Sequence, residues 1–132
     1  MSASASCDLA AAGLVATKEV RRFKVAVNTA CPLRCGYCFI DKDSGEVISW
    51  DKVQGLVRFF LHSPGEVKKL LIYGGEPTLE FELVKRVALY ARAEAQKAGK
   101  DLDLSLCTSG VGLTRPMLEF LRDQRFFLSV SL

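Results

Sequence analysis

The stretch KKLLIYGGEP, residues 68–77, decides the fold of this chain. Residues 68–73 are a compact apolar run typical of a short buried strand, and they pass without a spacer into Gly74-Gly75. Three other β-rich runs share this character: RFKVAV (22–27), DLSLCT (103–108) and RFFLSVSL (125–132). The sequence therefore predicts four short strands.

Helical patterns separate these strands. Apolar residues at helical spacing predict a helix from Ser49, as its N-cap, to a stop at residues 63–65. A longer helix is expected from about Leu79 to Ala98, and a short one over 115–122 with Thr114 as its N-cap. Strands that alternate with helices indicate an α/β fold with a parallel sheet of about four strands and three helices.

The unusual residues all follow strands. A cysteine loop comes after the first strand, the GGEP turn after the second, and Thr108-Ser109-Gly110 after the third. In open parallel sheets, ligands bind at the carboxyl ends of the strands. We therefore expect a site at this edge.

Composition sets the broad class. The chain has 132 residues, 49% hydrophobic and 25% charged, with a net charge of +3. We predict a tail over residues 1–20 and one domain over 21–132. The small charge argues against nucleic acid, and no apolar run reaches the ~18 residues of a membrane span. The Ser/Ala-rich start lacks a basic leader, which favours a cytoplasmic protein.

The cysteine loop is CPLRCGYCF, residues 31–39, with Cys31, Cys35 and Cys38. Structural zinc needs four closed ligands, and the single histidine of the chain, His62, lies at the end of a predicted helix. Three thiolates would instead bind three irons of a [4Fe–4S] cluster and leave the fourth iron open. Cys107 is either a further ligand or, more simply, a small core residue.

The loop, read as Cys-x-x-x-Cys-x-aromatic-Cys, resembles the signature of the radical S-adenosylmethionine (radical SAM) enzymes. The YGGEP segment is similar to the glycine-rich segment of that family, and TSG and SVSL resemble two further family segments. The resemblance implies a [4Fe–4S] cluster and S-adenosylmethionine (SAM) as cofactors. It also implies reductive cleavage of SAM to a 5′-deoxyadenosyl radical, which abstracts a hydrogen atom from the substrate.

The resemblance assigns residues by motif. Cys31, Cys35 and Cys38 would bind the cluster. The residues expected to contact SAM are Tyr37, Gly74, Gly75, Glu76, Ser109 and Ser131. Glu76 also suits the N-terminus of the following helix, where a carboxylate is favourable.

The same resemblance points to peptide-modifying members, such as sulfatase maturases and other SPASM-type enzymes. It implies a peptide or protein substrate and a flavodoxin- or ferredoxin-like reducing partner. Four strands do not close a barrel, so we expect the N-terminal portion of a partial (β/α) radical SAM barrel, truncated, whose open sheet edges favour self-association. Two alternatives remain: a non-catalytic iron–sulfur fragment and a small zinc-binding module.

Overall fold

A computed structural model describes residues 18–30 and 45–131. Its strands and helices are β1 (Arg22–Ala26), α1 (Trp50–Leu61), β2 (Val67–Tyr73), α2 (Phe81–Ala98), β3 (Asp101–Thr108), α3 (Arg115–Asp123) and β4 (Phe127–Val130). The predicted α/β fold, with four strands and three helices, is confirmed in this part of the chain. Most of the predicted tail, residues 1–17, lies outside the described residues.

The four strands form one parallel sheet in the order β1-β2-β3-β4. In the register, Phe23 pairs with Leu70, Leu70 with Leu104, and Leu106 with Leu128. Side chains alternate between the two faces of a strand, and in β3 every second residue is buried. One face of the sheet therefore belongs to the core, and we call the other the open face.

The helices cover the core face. Their buried side chains join those of the strands in one apolar cluster, which includes Val57 and Phe60 of α1, Val87 and Ala91 of α2, and Leu121 of α3. Full burial of such side chains contributes about 1.5–3 kcal/mol each. The cluster holds the helices and the sheet together and leaves the carboxyl ends of the strands free for other contacts.

The helix ends follow the predicted signals in most cases. The Ser49 side chain accepts a hydrogen bond from the Lys52 amide, and Thr114 accepts one from the Met117 amide. Gly99 ends α2 in the left-handed conformation with φ of 68°. The predicted start of α2 at about Leu79 is two residues early, because Pro77–Glu80 forms a 3₁₀ turn and the helix begins at Phe81.

Lys68 makes three hydrogen bonds at the amino-terminal end of the sheet. Its side chain is fully buried, and its ammonium group donates to Val20 O (2.8 Å), Ser63 Oγ (2.6 Å) and Pro64 O (2.8 Å). A buried ammonium group is tolerated when its donors are satisfied. Lys68 thereby joins the segment before β1 to the α1–β2 connection.

The outer strand β4 is exposed along its whole length. Phe127 is 64% exposed, Val130 44% and Leu128 40%. Within residues 18–30 and 45–131, no helix is both long and apolar enough to cross a membrane.

Candidate functional site

Three segments meet at the carboxyl edge of the sheet. The GGEP turn after β2 is hydrogen-bonded to the segment after β1. Gly75 N donates to Asn28 O (2.8 Å), and Glu76 N donates to Ala30 O (2.7 Å). The Asn28 side chain donates in return to Glu76 O (2.9 Å). The GGEP turn and the segment that precedes the cysteine loop therefore meet at this edge, with Glu76 between them.

The two glycines allow this close approach. A Cβ atom on Gly74 would lie 2.5 Å from Asn28 Oδ1 and 2.6 Å from Asn28 O. A Cβ atom on Gly75 would overlap the carbonyl oxygens of Thr29 and Ala30. Side chains are therefore excluded at both positions. The expected contact of these glycines with a cofactor stays a prediction.

The Glu76 carboxylate joins the end of β3 to the turn after β2. Its Oε1 accepts from Ser109 N (2.8 Å) and Ser109 Oγ (2.6 Å). Its Oε2 accepts from Thr78 Oγ1 (2.7 Å), from Thr78 N (3.3 Å) and from the hydroxyl of Thr108. Glu76 is 1% exposed, so these donors replace the water that a charged carboxylate would otherwise bind.

The same contacts keep Glu76 ionised. Burial alone would raise the pKa of this carboxyl, but the hydrogen bonds from Ser109, Thr108 and Thr78 outweigh burial and lower the pKa below its ordinary value. The edge of the sheet therefore carries a fixed negative charge at neutral pH.

Ser109 and Ser131 also lie at this edge, as expected. Ser109 is half-buried and contacts Glu76 directly. Ser131 is exposed, and its amide donates to Thr108 O (2.9 Å). Cys107 lies half-exposed on the open face, with Sγ 3.8 Å from Ser131 Oγ, so its interpretation as a core residue is wrong.

The predicted cluster ligands Cys31, Cys35 and Cys38, together with Tyr37, lie outside the described residues. Their loop begins directly after Ala30, whose carbonyl is held by Glu76 N. Of the part of the chain that the structure describes, no group of three or more His, Cys, Asp or Glu residues is placed to bind a metal ion.

His62 lies at the other end of the sheet. It is the C-cap residue of α1, in the connection that leads into the start of β2, and its Nε2 is 3.3 Å from Glu94 Oε1. The cysteine loop instead starts at the carboxyl edge. This position argues against His62 as the fourth ligand of a zinc site.

Asn28 and Thr78 were not predicted from the sequence as site residues, and Thr108 was expected at this edge but had no contact assigned to it. Each is at least 95% buried, with exposed fractions of 3%, 5% and 2%. Thr78 had a local signal, because a hydroxyl two residues after Glu76 suits a capping turn. Thr108 and Asn28 act across strands, which a single sequence does not reveal.

Two buried acceptor side chains lie at this edge. A buried ionised carboxylate is an acceptor for an ammonium group. Asn28 adds a second acceptor, because its Oδ1 is buried and has no hydrogen-bond partner among the described residues. Gly74 and Gly75 pack directly against the backbone of residues 28–30, which brings Asn28 close to Glu76.

A family model and curated relatives match most of this chain. The profile of the Radical SAM superfamily matches residues 25–132. A GTP 3′,8-cyclase of Xanthomonas axonopodis pv. citri is 35% identical over 106 residues, which cover 74% of this chain and 30% of the relative. A probable GTP 3′,8-cyclase of Methanococcus maripaludis is 31% identical over 101 residues, covering 74% of this chain and 31% of the relative.

Solved structures share the fold. The structure titled "Native anSMEcpe with bound AdoMet and Kp18Cys peptide" has a TM-score of 0.75 at 22% identity and covers 84% of this chain and 31% of its own. A second, "Native anSMEcpe with bound AdoMet and Cp18Cys peptide", has a TM-score of 0.71 at 24% identity, with 85% and 30% covered. The chain thus spans about 30% of the length of the first-named curated relative.

Proposed function

The chain belongs to the radical SAM superfamily, and we propose that it binds a [4Fe–4S] cluster and SAM and cleaves SAM reductively for hydrogen abstraction from a substrate. The cofactor prediction, SAM with an iron–sulfur cluster, follows from this membership. The observation that carries the proposal is the buried, ionised Glu76, hydrogen-bonded through its amide to the residue before the cysteine loop.

The three cysteines, Glu76 and the glycine pair each have a proposed role. Cys31, Cys35 and Cys38 hold three irons as thiolates and leave the fourth iron to SAM. Glu76 accepts the ammonium group of SAM. The Gly74-Gly75 pair lets the turn that carries Glu76 pack against the segment before the cysteine loop. When bound, the reduced cluster supplies one electron to the sulfonium of SAM, which yields methionine and a 5′-deoxyadenosyl radical.

Anaerobic reconstitution with iron and sulfide tests this function. We expect the dithionite-reduced protein to give a cluster signal in electron paramagnetic resonance (EPR) that changes when SAM is added. Cys35→Ala removes a ligand and should abolish the signal. Cys107→Ala should keep it, because three thiolates suffice, and loss of the signal in that variant would identify Cys107 as a further ligand.

Other outcomes of this experiment separate the alternatives. An EPR signal that does not change when SAM is added supports a non-catalytic iron–sulfur fragment. Stoichiometric zinc in place of iron supports a zinc-binding module. Release of 5′-deoxyadenosine, measured by chromatography, supports the enzyme over both.

For the substrate, we first propose a peptide or protein. The GGEPTL phrase and its spacing from the cysteine loop support this class, since they resemble the peptide-modifying members of the family. The electron would come from a flavodoxin- or ferredoxin-like donor in the cytoplasm.

A second candidate is a nucleoside triphosphate, the class of substrate named by the curated relatives. One observation favours it. Arg22, Lys24 and Lys69 are exposed and line a recess of about 220 Å³ on the sheet, where Arg22 pairs with Lys69 in the strand register. Clustered cations of this kind bind phosphate oxygens.

Binding measurements distinguish the two substrates. Calorimetric titration of the reconstituted protein with GTP should show saturable binding that Lys24→Met and Lys69→Met weaken about tenfold each, with SAM affinity unchanged. Lys52→Met, remote from the recess, is the control. Absence of GTP binding, with 5′-deoxyadenosine released in the presence of a cysteine-containing peptide, supports the peptide.

A further inference from the structure

Every acceptor position of the Glu76 carboxylate is occupied in the free protein. Oε1 receives two hydrogen bonds from Ser109, and Oε2 receives two from Thr78 and one from Thr108. A carboxylate offers about four lone-pair positions. An ammonium group that approaches Glu76 must therefore displace one of the present donors.

The donors differ in how easily they leave. The Thr78 and Thr108 side chains are 5% and 2% exposed, so a hydroxyl withdrawn from Oε2 would lose its partner inside the protein. The Ser109 amide is fixed by the backbone. The Ser109 hydroxyl is only half-buried, so when it leaves Glu76 it can donate its hydrogen to water instead.

We propose that Ser109 is an exchangeable donor: its hydroxyl occupies, in the free protein, the position on Glu76 Oε1 that the ammonium group of SAM takes on binding. Thr78 and Thr108 are positioning residues that hold Oε2 in both states. This inference rests on the proposed function, because it requires SAM to bind at Glu76.

The two roles have opposite effects on affinity. A contact made only in the free protein competes with the ligand, and its removal raises affinity for the ligand. A contact made in both states does not compete, and its removal leaves the affinity unchanged or lowers it through misplacement of the carboxylate. If Ser109 were only structural, its truncation would also lower the affinity.

Equilibrium dialysis of radiolabelled SAM against the reconstituted protein tests the proposal. Ser109→Ala should bind SAM about fivefold more tightly than the unchanged protein, in line with the loss of one ordinary hydrogen bond, because the displaced hydroxyl regains part of its energy by donating to water. Ser109→Thr, which keeps the hydroxyl, should restore the original Kd. Thr108→Val should leave the Kd unchanged or raise it.

Thermal unfolding without SAM provides a readout independent of binding. Both Ser109→Ala and Thr108→Val should lower Tm, because each loses a hydrogen bond to Glu76 in the free protein. An unchanged or higher Kd for Ser109→Ala overturns the proposal, as does an unchanged Tm for that variant. No SAM binding by the unchanged protein would instead overturn the proposed function, and this inference with it.

Discussion

Glu76 is charged although it is almost fully buried, and this has a consequence for acid stability. Its pKa is lowered in the folded protein, so the stability it contributes is present above the ordinary glutamate pKa and is lost as the pH falls through the folded-state value, below 4.5. Glu76→Gln cannot ionise. We expect it to be about 2 kcal/mol less stable at pH 7, with a gap that narrows toward pH 3.

Urea unfolding of both proteins from pH 7 to pH 3 measures this gap. Glu82→Gln is the control, because the Glu82 side chain is 88% exposed and its pair with Lys85 stabilises little. A gap that stays constant across the pH range would show that Glu76 gains nothing from its charge.

The absence of a side chain at Gly75 lets the GGEP turn pack against the segment after β1. The Cβ of Gly75→Ala would overlap the Thr29 and Ala30 carbonyl oxygens, which belong to backbone that cannot turn aside. We expect a loss of about 2–4 kcal/mol in the free energy of unfolding and, after reconstitution, a lower iron content.

The control for Gly75→Ala is Gly99→Ala. Gly99 has φ of 68° but nothing within 4 Å of a Cβ atom, so this variant has only the backbone cost of about 1–2 kcal/mol. Equal losses at the two positions would mean that close approach at Gly75 has no special importance.

Among the elements, Arg92 of α2 connects its helix to β3 and to the end of α3. Its guanidinium donates to Leu102 O (2.6 Å) in β3 and to Gln124 O at the end of α3. Arg92→Met keeps the aliphatic stem and removes both donors. Chemical denaturation should show a loss of about 1.5–3 kcal/mol, since two carbonyl groups lose a charged donor.

Lys97→Met on the same helix is the matched control. The Lys97 side chain is 71% exposed, and its buried partner Glu94, one turn earlier, keeps its contact with His62 when Lys97 is removed. The loss of Lys97 should therefore change stability by less than about 1 kcal/mol. An Arg92→Met variant as stable as Lys97→Met would show that the bridge adds nothing beyond the apolar packing of α2.

The elements also show where sequence reasoning reaches its limit. Strand positions and the caps Ser49 and Thr114 were predictable, because apolar periodicity and capping hydroxyls are local signals. The late start of α2 was not, because the turn before it is fixed by Thr108 and Ser109, about thirty residues further along the chain. Contacts between strand ends are set by the sheet register, which local patterns do not encode.

At the scale of the whole molecule, the sheet has unequal sides. The core face is covered by helices, whereas β4 exposes Phe127 and Leu128 on opposite faces and has only β3 as a neighbour in the described sheet. An exposed apolar outer strand is a template for pairing with another strand. We therefore propose that this chain self-associates through β4.

Sedimentation velocity at increasing protein concentration tests this association. The chain should show a concentration-dependent rise in mean sedimentation coefficient, and Phe127→Lys with Leu128→Lys should suppress it, because charged side chains on an outer strand oppose strand pairing. Leu89→Lys is the control, since Leu89 is 51% exposed on α2, away from the strand. Association unaffected by the β4 changes would locate the contact elsewhere, and a monomer at all concentrations would contradict it. The β4 changes lie on the outer strand, away from Glu76, so suppression without loss of the SAM-dependent EPR change would also show that the carboxyl edge works in a single copy of the chain.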